Sequence, residues 1–307
     1  MRLALAKTLA EIADSDPRVM LITADLGYMA LETFSEKHPG RFLNVGVAEQ
    51  NMVGLATGLA EAGFIPYLYS IVTFASMRAY EFLRNGPVLQ HLPVRLVGVG
   101  GGFEYGSAGP THFGLEDLAI MRAQPGLRVI APADHQQTRT AVLKTWDLPG
   151  PTYYRLGKDD KSIIPGLNGR FELDGVVTIR EGTDLLFVTT GSITQEVMAA
   201  ADRLEPQGLS AAVVVVSTLN PPPVAALLKV LSPFERVLTV EAHYVTGGLG
   251  SMVAEIMADH GLTCRAVRIG ANVQPNARSG SQAYHHRVHG LDREGIAAAA
   301  MNQLTRK

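Results

Sequence analysis

Glu49 is the residue of this chain whose type and setting most favour chemistry. It follows Val45, Gly46, Val47 and Ala48, and precedes Met52, Val53, Leu55, Ala56, Leu59 and Ala60. The apolar run Phe42–Val47 is short and bounded by glycine, which predicts a buried strand, and the run after Glu49 has the spacing of a helix face. A carboxyl group at such a junction is partly removed from water. That raises its pKa and suits it to holding or sharing a proton near neutral pH. The same position also fits a glutamate that only meets the positive end of its own helix. Asp25 is the second candidate. It ends the apolar run Val19–Ala24, and ligands of open α/β sheets bind at the carboxyl ends of strands; a turn aspartate before Gly27 is the plainer account. His112, within Gly109-Pro-Thr-His, can carry a proton near neutral pH or serve the structure.

The elements that must position these residues alternate. Leu3–Ala13 reads as a helix closed by Asp14-Ser15-Asp16-Pro17, and Val19–Ala24, Ile65–Ser70 and Pro93–Gly98 read as strands. Phe74, Met77, Tyr80, Glu81 and Arg84 keep helical spacing, which by itself predicts core packing. The glycine-rich stretch after Gly98 has Phe103 where a dinucleotide fingerprint needs its third glycine, so it reads as a loop passing close to a ligand. Lys158–Asp174 is polar and without period, a linker. Beyond it Asp184–Thr190, Ala211–Ser217 and Arg236–Val240 read as strands, with Ser192–Leu204 a helix. The expected fold is α/β with two parallel-sheet domains, residues 1–158 and 181–307, joined by a linker at 159–180.

Composition narrows the class. At 307 residues, 47% hydrophobic and 18% charged, the chain has ample core for two domains. A formal net charge of −2 gives no basic surface for nucleic acid or an anionic membrane. No run is long and apolar enough to span a bilayer. Residues 1–12 carry Arg2, Lys7 and Glu11, unlike a secretory signal. The single cysteine, Cys264, suits a reducing compartment. The expectation is a soluble, cytoplasmic protein. His285, His286 and His289 lack the partners of a metal site, so no metal is expected on this chain.

The stretch VGVAEQNMVGLATGLAEAG, Val45 to Gly63, resembles the pyrimidine-domain signature of thiamine diphosphate enzymes of the transketolase group. That resemblance implies that Glu49 contacts the aminopyrimidine N1′ of thiamine diphosphate and favours the tautomer that deprotonates the thiazolium carbon. It implies that Phe74 stacks on the cofactor's pyrimidine ring, with Ile71 and Met77 standing where transketolases carry further aromatics. It places Asp25, in Ala24-Asp-Leu, beside the cofactor, and His112, in GPTH, on the substrate side. Arg155, closing Thr152-Tyr-Tyr-Arg-Leu, matches a family phosphate arginine that can bind phosphate or carboxylate bidentately, or form a structural ion pair. Arg2 matches a substrate-phosphate arginine in spacing, at an amino end where fraying is the default. Two positions depart from the pattern. Ala108 stands where an aspartate usually contacts substrate, and Gly100 or Gly101 stands where a basic residue usually meets its phosphate. Both suggest a specialised sugar.

The resemblance extends over nearly the whole chain but matches only the latter half of a transketolase. No GDG occurs, the motif through which such enzymes hold the diphosphate and Mg²⁺; Asp174-Gly175 is the nearest approach. The expectation is the small subunit of a split, α2β2 transketolase, active with a GDG-bearing partner that supplies the Mg²⁺ site. Gly54 and Gly58 form a small-residue face suited to close packing across that interface, or within one domain. The implied reaction moves a two-carbon ketol unit from a ketose to an aldehyde. A 2-oxo acid-decarboxylating enzyme subunit (deoxyxylulose phosphate synthase-like or dehydrogenase beta-like) and a non-catalytic scaffold are the alternatives.

Overall fold

The structure, a computed structural model, describes residues 1–271 and 278–305. The chain opens with α1 (Arg2–Ser15), which turns Leu5, Ala6, Leu9, Ala10 and Ile12 inward. β1 (Val19–Thr23), α2 (Glu32–Lys37), β2 (Phe42–Asn44), α3 (Glu49–Glu61) and β3 (Ile65–Ile71) follow. Then come α4 (Tyr80–Leu83), β4 (Arg95–Val99), α5 (Asp117–Arg122), β5 (Arg128–Ile130), α6 (His135–Thr145) and β6 (Thr152–Leu156). These six strands pair only in parallel, in the order β5-β6-β4-β3-β1-β2. The inner strands β1, β3, β4 and β6 are buried along their whole length, because helices cover both faces. β2 departs from expectation: it is the edge strand, and Leu43 and Asn44 are exposed. Its apolar residues signalled a strand, but only its neighbours could show how deep it lies.

The second sheet takes β7 (Val177–Arg180), β8 (Leu185–Thr189), β9 (Ala211–Val215), β11 (Arg236–Tyr244) and β12 (Arg265–Ala271), in the order β12-β11-β8-β9-β7. Helices α7 (Thr194–Leu204), α8 (Val224–Leu231), α9 (Leu249–Asp259), α10 (Gln282–His289) and α11 (Arg293–Thr305) accompany it. The fold class is thus α/β with two mainly parallel sheets, each carrying one antiparallel edge strand. In the second sheet that strand is β7, paired to β9. The stretch expected to be a linker is therefore part of the structure: it supplies β7, and Ile164, Leu167 and Phe171 are buried within it. Spacing hid them, since three apolar residues without period resemble a loop.

The antiparallel edge of the first sheet is β10 (Thr218–Asn220), which leaves the second half of the chain to pair with β5. Ser217 accepts a hydrogen bond from Ala131 N at 2.7 Å, and the Asn220 amide donates to the carbonyls of Leu127 and Gln124 at 2.6 and 3.1 Å. His243 adds a second link: its Nδ1 faces the Tyr244 carbonyl at 2.7 Å while Nε2 accepts from Ala119 N. Through these two contacts the ring ties the second half of the chain to α5. No helix among the described residues is long and apolar enough to cross a membrane.

Candidate active site

The carboxyl ends of β1, β3, β4 and β6 lie side by side, with Thr23 opposite Tyr69, Ile71 opposite Val99 and Val99 opposite Leu156. From that edge emerge Asp25, the Phe74 segment and the glycine loop after Val99, and β6 ends on Leu156. Parallel strands force this convergence, because every chain exit at their carboxyl ends falls on one rim.

Glu49 is the first residue of α3, following Ala48, and is 2% exposed. Its carboxylate is not left alone there. Ser70, on β3, donates its hydroxyl to Oε1 at 3.3 Å, and Nη1 of Arg78 lies 3.1 and 3.0 Å from the two oxygens. The guanidinium carbon of Arg78 sits 4.0 Å from the centroid of the Phe74 ring. Phe74 in turn meets His112 edge-on, with ring centroids 5.1 Å apart at 69°. Thr73 ties the two loops by donating to the Phe113 carbonyl at 2.9 Å. Glu49, Phe74 and His112, separated by 25 and 38 residues in sequence, are thus linked in one chain of contacts in which Arg78 bridges Glu49 to Phe74. The backbone from Phe74 to Arg78 is a π turn, not the regular helix that the spacing predicted, and a second π turn spans Arg84–Val88 around Pro87. The wider winding sets ring and guanidinium together; such turns concentrate at functional sites.

Asp25 lies at the end of β1 in the left-handed region, at φ 57°. Its Oδ1 accepts from the Asn44 amide at 2.9 Å and its N–H donates to Asn44 Oδ1 at 3.1 Å. Gly46 N donates to the same oxygen at 3.0 Å, so Asp25 is fastened to the turn that leads into Glu49.

Arg155 forms the structural ion pair that the sequence left open beside a substrate role. It is 5% exposed, and its Nε and Nη2 bond Asp117 at 2.8 and 3.2 Å. Nη2 also donates to the carbonyls of Gly114 and Ala242, each at 2.9 Å. Tyr153 donates to the same Asp117 carboxylate at 2.9 Å. The guanidinium thus faces inward and braces the second half of the chain through Ala242. Gly101 explains why: a Cβ there would fall inside the Arg155 guanidinium. The missing Cβ at Gly101 leaves the room that Arg155 occupies. Arg2 is also engaged, and its end of the chain is held down. Met1 is buried, its ammonium meets Asp160, and Nη2 of Arg2 reaches the same carboxylate at 3.4 Å. Ala108 is exposed in the loop before GPTH.

Residues 1–161 match the family model for the transketolase pyrimidine-binding domain, and residues 174–296 match that for the transketolase C-terminal domain. The chain belongs to the transketolase family. An apulose-4-phosphate transketolase subunit of Phocaeicola vulgatus is 32% identical over 305 residues, covering 98% of this chain and 96% of that protein. A 6-deoxy-6-sulfo-D-fructose transketolase subunit of a Clostridium species is 37% identical over 253 residues, covering 82% and 79%. Among solved structures, a split-gene transketolase described as an inactive β4 tetramer is 33% identical, with TM-score 0.87 and coverage of 98% and 97%. The chain is therefore similar along its length to separate transketolase subunits.

Several residues near the candidate site were not assigned a role there by sequence reasoning. Arg78 is 46% exposed, and an arginine on an outer helical face carries no signal beyond its spacing of four from Phe74. Glu104 is enclosed: burial pushes its carboxyl above the usual range, while Ser192 Oγ donates to it at 2.6 Å and Lys158 N also bonds it. The Lys158 ammonium lies 4.1 Å over the Tyr105 ring, and Tyr105 is 6.4 Å from His112. His285 and His289 both stack against Phe103, each with centroids 4.9 Å from it. Those histidines thus pack against an aromatic ring, and burial lowers the pKa of each.

Proposed function

We propose that this chain is the pyrimidine-binding subunit of a two-subunit transketolase, completed by a partner that bears the GDG motif, the diphosphate site and Mg²⁺. The observation that carries the reading is the gathering of Glu49, Phe74 and His112 at the carboxyl rim of the first sheet, with Arg78 bridging the first two. The residues fit the cofactor's ring. Glu49 offers a buried carboxylate, and the Phe74 face already accepts a flat, delocalised, hydrogen-bonding group in the form of the Arg78 guanidinium. Thiamine diphosphate, when bound, supplies the carbanion that a protein side chain cannot. In the proposed site Glu49 holds a proton at the aminopyrimidine, Phe74 fixes the ring plane, and Asp25 stiffens the turn before Glu49. His112 exchanges a proton with the substrate.

The surface around the site supports a missing partner. A Cβ at Gly54 or Gly58 would touch nothing in this chain, so these glycines are not demanded by packing within it. Tyr28, Met29, Val47, Met77 and Leu89 are exposed apolar side chains available to a partner surface. The similar split-gene β4 assembly described as inactive is in keeping with a subunit that needs completion.

The substrate reading follows from what faces the rim. With Arg155 turned inward, the cationic groups near Tyr105 are Arg2 and Lys158. Relatives named for apulose-4-phosphate and 6-deoxy-6-sulfo-D-fructose support a specialised, anionic ketose as donor. Calorimetry with thiamine diphosphate and Mg²⁺ tests the core of the proposal. Binding by the mixture of this chain with its GDG partner, lost on Glu49→Gln, is expected. Tight binding by the chain alone would refute the shared site, and release of CO₂ from pyruvate by the mixture would favour a decarboxylating enzyme.

A further inference from the structure

The two groups assigned to the cofactor's ring, Glu49 and Phe74, are both taken by one side chain of this subunit. Nη1 of Arg78 straddles the Glu49 oxygens at 3.1 and 3.0 Å, and its guanidinium carbon lies 4.0 Å from the Phe74 centroid. His112 approaches Phe74 edge-on and Ser70 reaches only Oε1, so neither replaces what Arg78 does. A guanidinium is planar, delocalised and rich in donors, which lets it stack on an aromatic face and bond a carboxylate at once. Those are the same two interactions that the proposed aminopyrimidine seat requires.

We propose that Arg78 is a placeholder for the cofactor's ring. In the subunit without cofactor it caps Glu49 and covers Phe74, and it must leave both before the ring can use either. The physical need is clear from burial: a carboxylate 2% exposed, with one hydroxyl donor and no cation, would be costly to the folded chain. A subunit synthesised apart from the partner that completes its site must carry its own neutralising group. Arg78 can also withdraw, because its side chain is 46% exposed and already borders solvent. The inference rests on the functional reading above.

The test is a thermodynamic cycle. Melting of the full chain without cofactor is compared with melting of the complex, reconstituted with the GDG subunit and saturated with thiamine diphosphate and Mg²⁺. Each is made as wild type, Arg78→Met and Arg78→Lys, and the cofactor Kd of each complex is measured by calorimetry. A contact present only before cofactor binding must show as destabilisation of the unloaded chain, no change in the loaded complex, and a Kd lowered about tenfold in Arg78→Met. Arg78→Lys, which keeps a charge near Glu49 and stands in should the methionine variant not fold, should lower Kd by less. Equal destabilisation of both states with Kd unchanged would make Arg78 merely structural and overturn the proposal. A weaker Kd would make it a cofactor contact and also overturn it. Wild-type complex that binds no thiamine diphosphate would overturn the functional reading together with the placeholder, and is distinguished from the other two results by the wild type alone.

Discussion

Gly101→Ala should unfold this protein far more easily than the addition of one methyl group suggests. Gly101 is not in the left-handed region, so its backbone accepts alanine without strain. The obstacle is Arg155. The new Cβ would overlap the guanidinium carbon and come within 2.7 Å of Nε and Nη1. Arg155 cannot yield cheaply, because Asp117 holds it at 2.8 and 3.2 Å and two carbonyls hold it at 2.9 Å. Displacing it strands Asp117, which is fully buried and keeps only the Tyr153 hydroxyl. Breaking one side of such a buried pair costs about 3–5 kcal/mol, whereas alanine at an unobstructed site of ordinary backbone geometry stabilises by about 0.4–1 kcal/mol. Urea unfolding followed by the fluorescence of Trp146, the single tryptophan, reads the loss. In an Arg155→Met background the same alanine should cost less by at least about 1 kcal/mol, since the obstacle has been removed. Wild-type stability in Gly101→Ala, or an equal cost in both backgrounds, would refute the steric coupling of Gly101 to Arg155.

Two further predictions concern groups outside the proposed site. Burial lowers the pKa of His286 to about 4, despite Glu196 and Asp292 nearby, whereas an unfolded histidine titrates near 6.5. The unfolded chain therefore binds this proton first, so stability is intact above about pH 6.5 and is lost as pH falls towards 4, by about 3 kcal/mol from this group. His286→Leu should flatten that part of the curve of urea midpoint against pH. Arg95 is fully buried and satisfied by the carbonyls of Trp146, Leu148 and Gly150. A lysine ammonium cannot span all three, so Arg95→Lys should cost about 2–4 kcal/mol in the same assay.

The strands were legible where burial is complete. Val19–Thr23 and Ile65–Ile71 are enclosed on both faces, and largely apolar runs announce that condition directly. β7 and β10 were not, because an antiparallel edge strand of three or four residues has neither the length nor the period to stand out. The site divides in the same way. Glu49 was visible because its junction is local, a strand and a helix separated by only the four residues 45–48. The inward turn of Arg155 was invisible because its partner Asp117 lies 38 residues upstream, and nothing in either segment announces the other. Arg78 had the opposite difficulty. Its partner Phe74 is near, but an arginine on an outer helix surface is what solvation alone would select.

The lending of β10 to the first sheet has a consequence for synthesis. β5 is flanked by β6 on one side and by β10 on the other, and β10 ends at Asn220. A ribosome that has released residues 1–161, all of the pyrimidine-binding match, has not yet made the strand that closes that sheet. At about 5–20 residues per second the edge of β5 stays bare for several seconds, a template for any passing strand. A nascent chain stalled before Asn220 would therefore present a sticky half-molecule, and dissecting the protein at the family boundary would make that condition permanent.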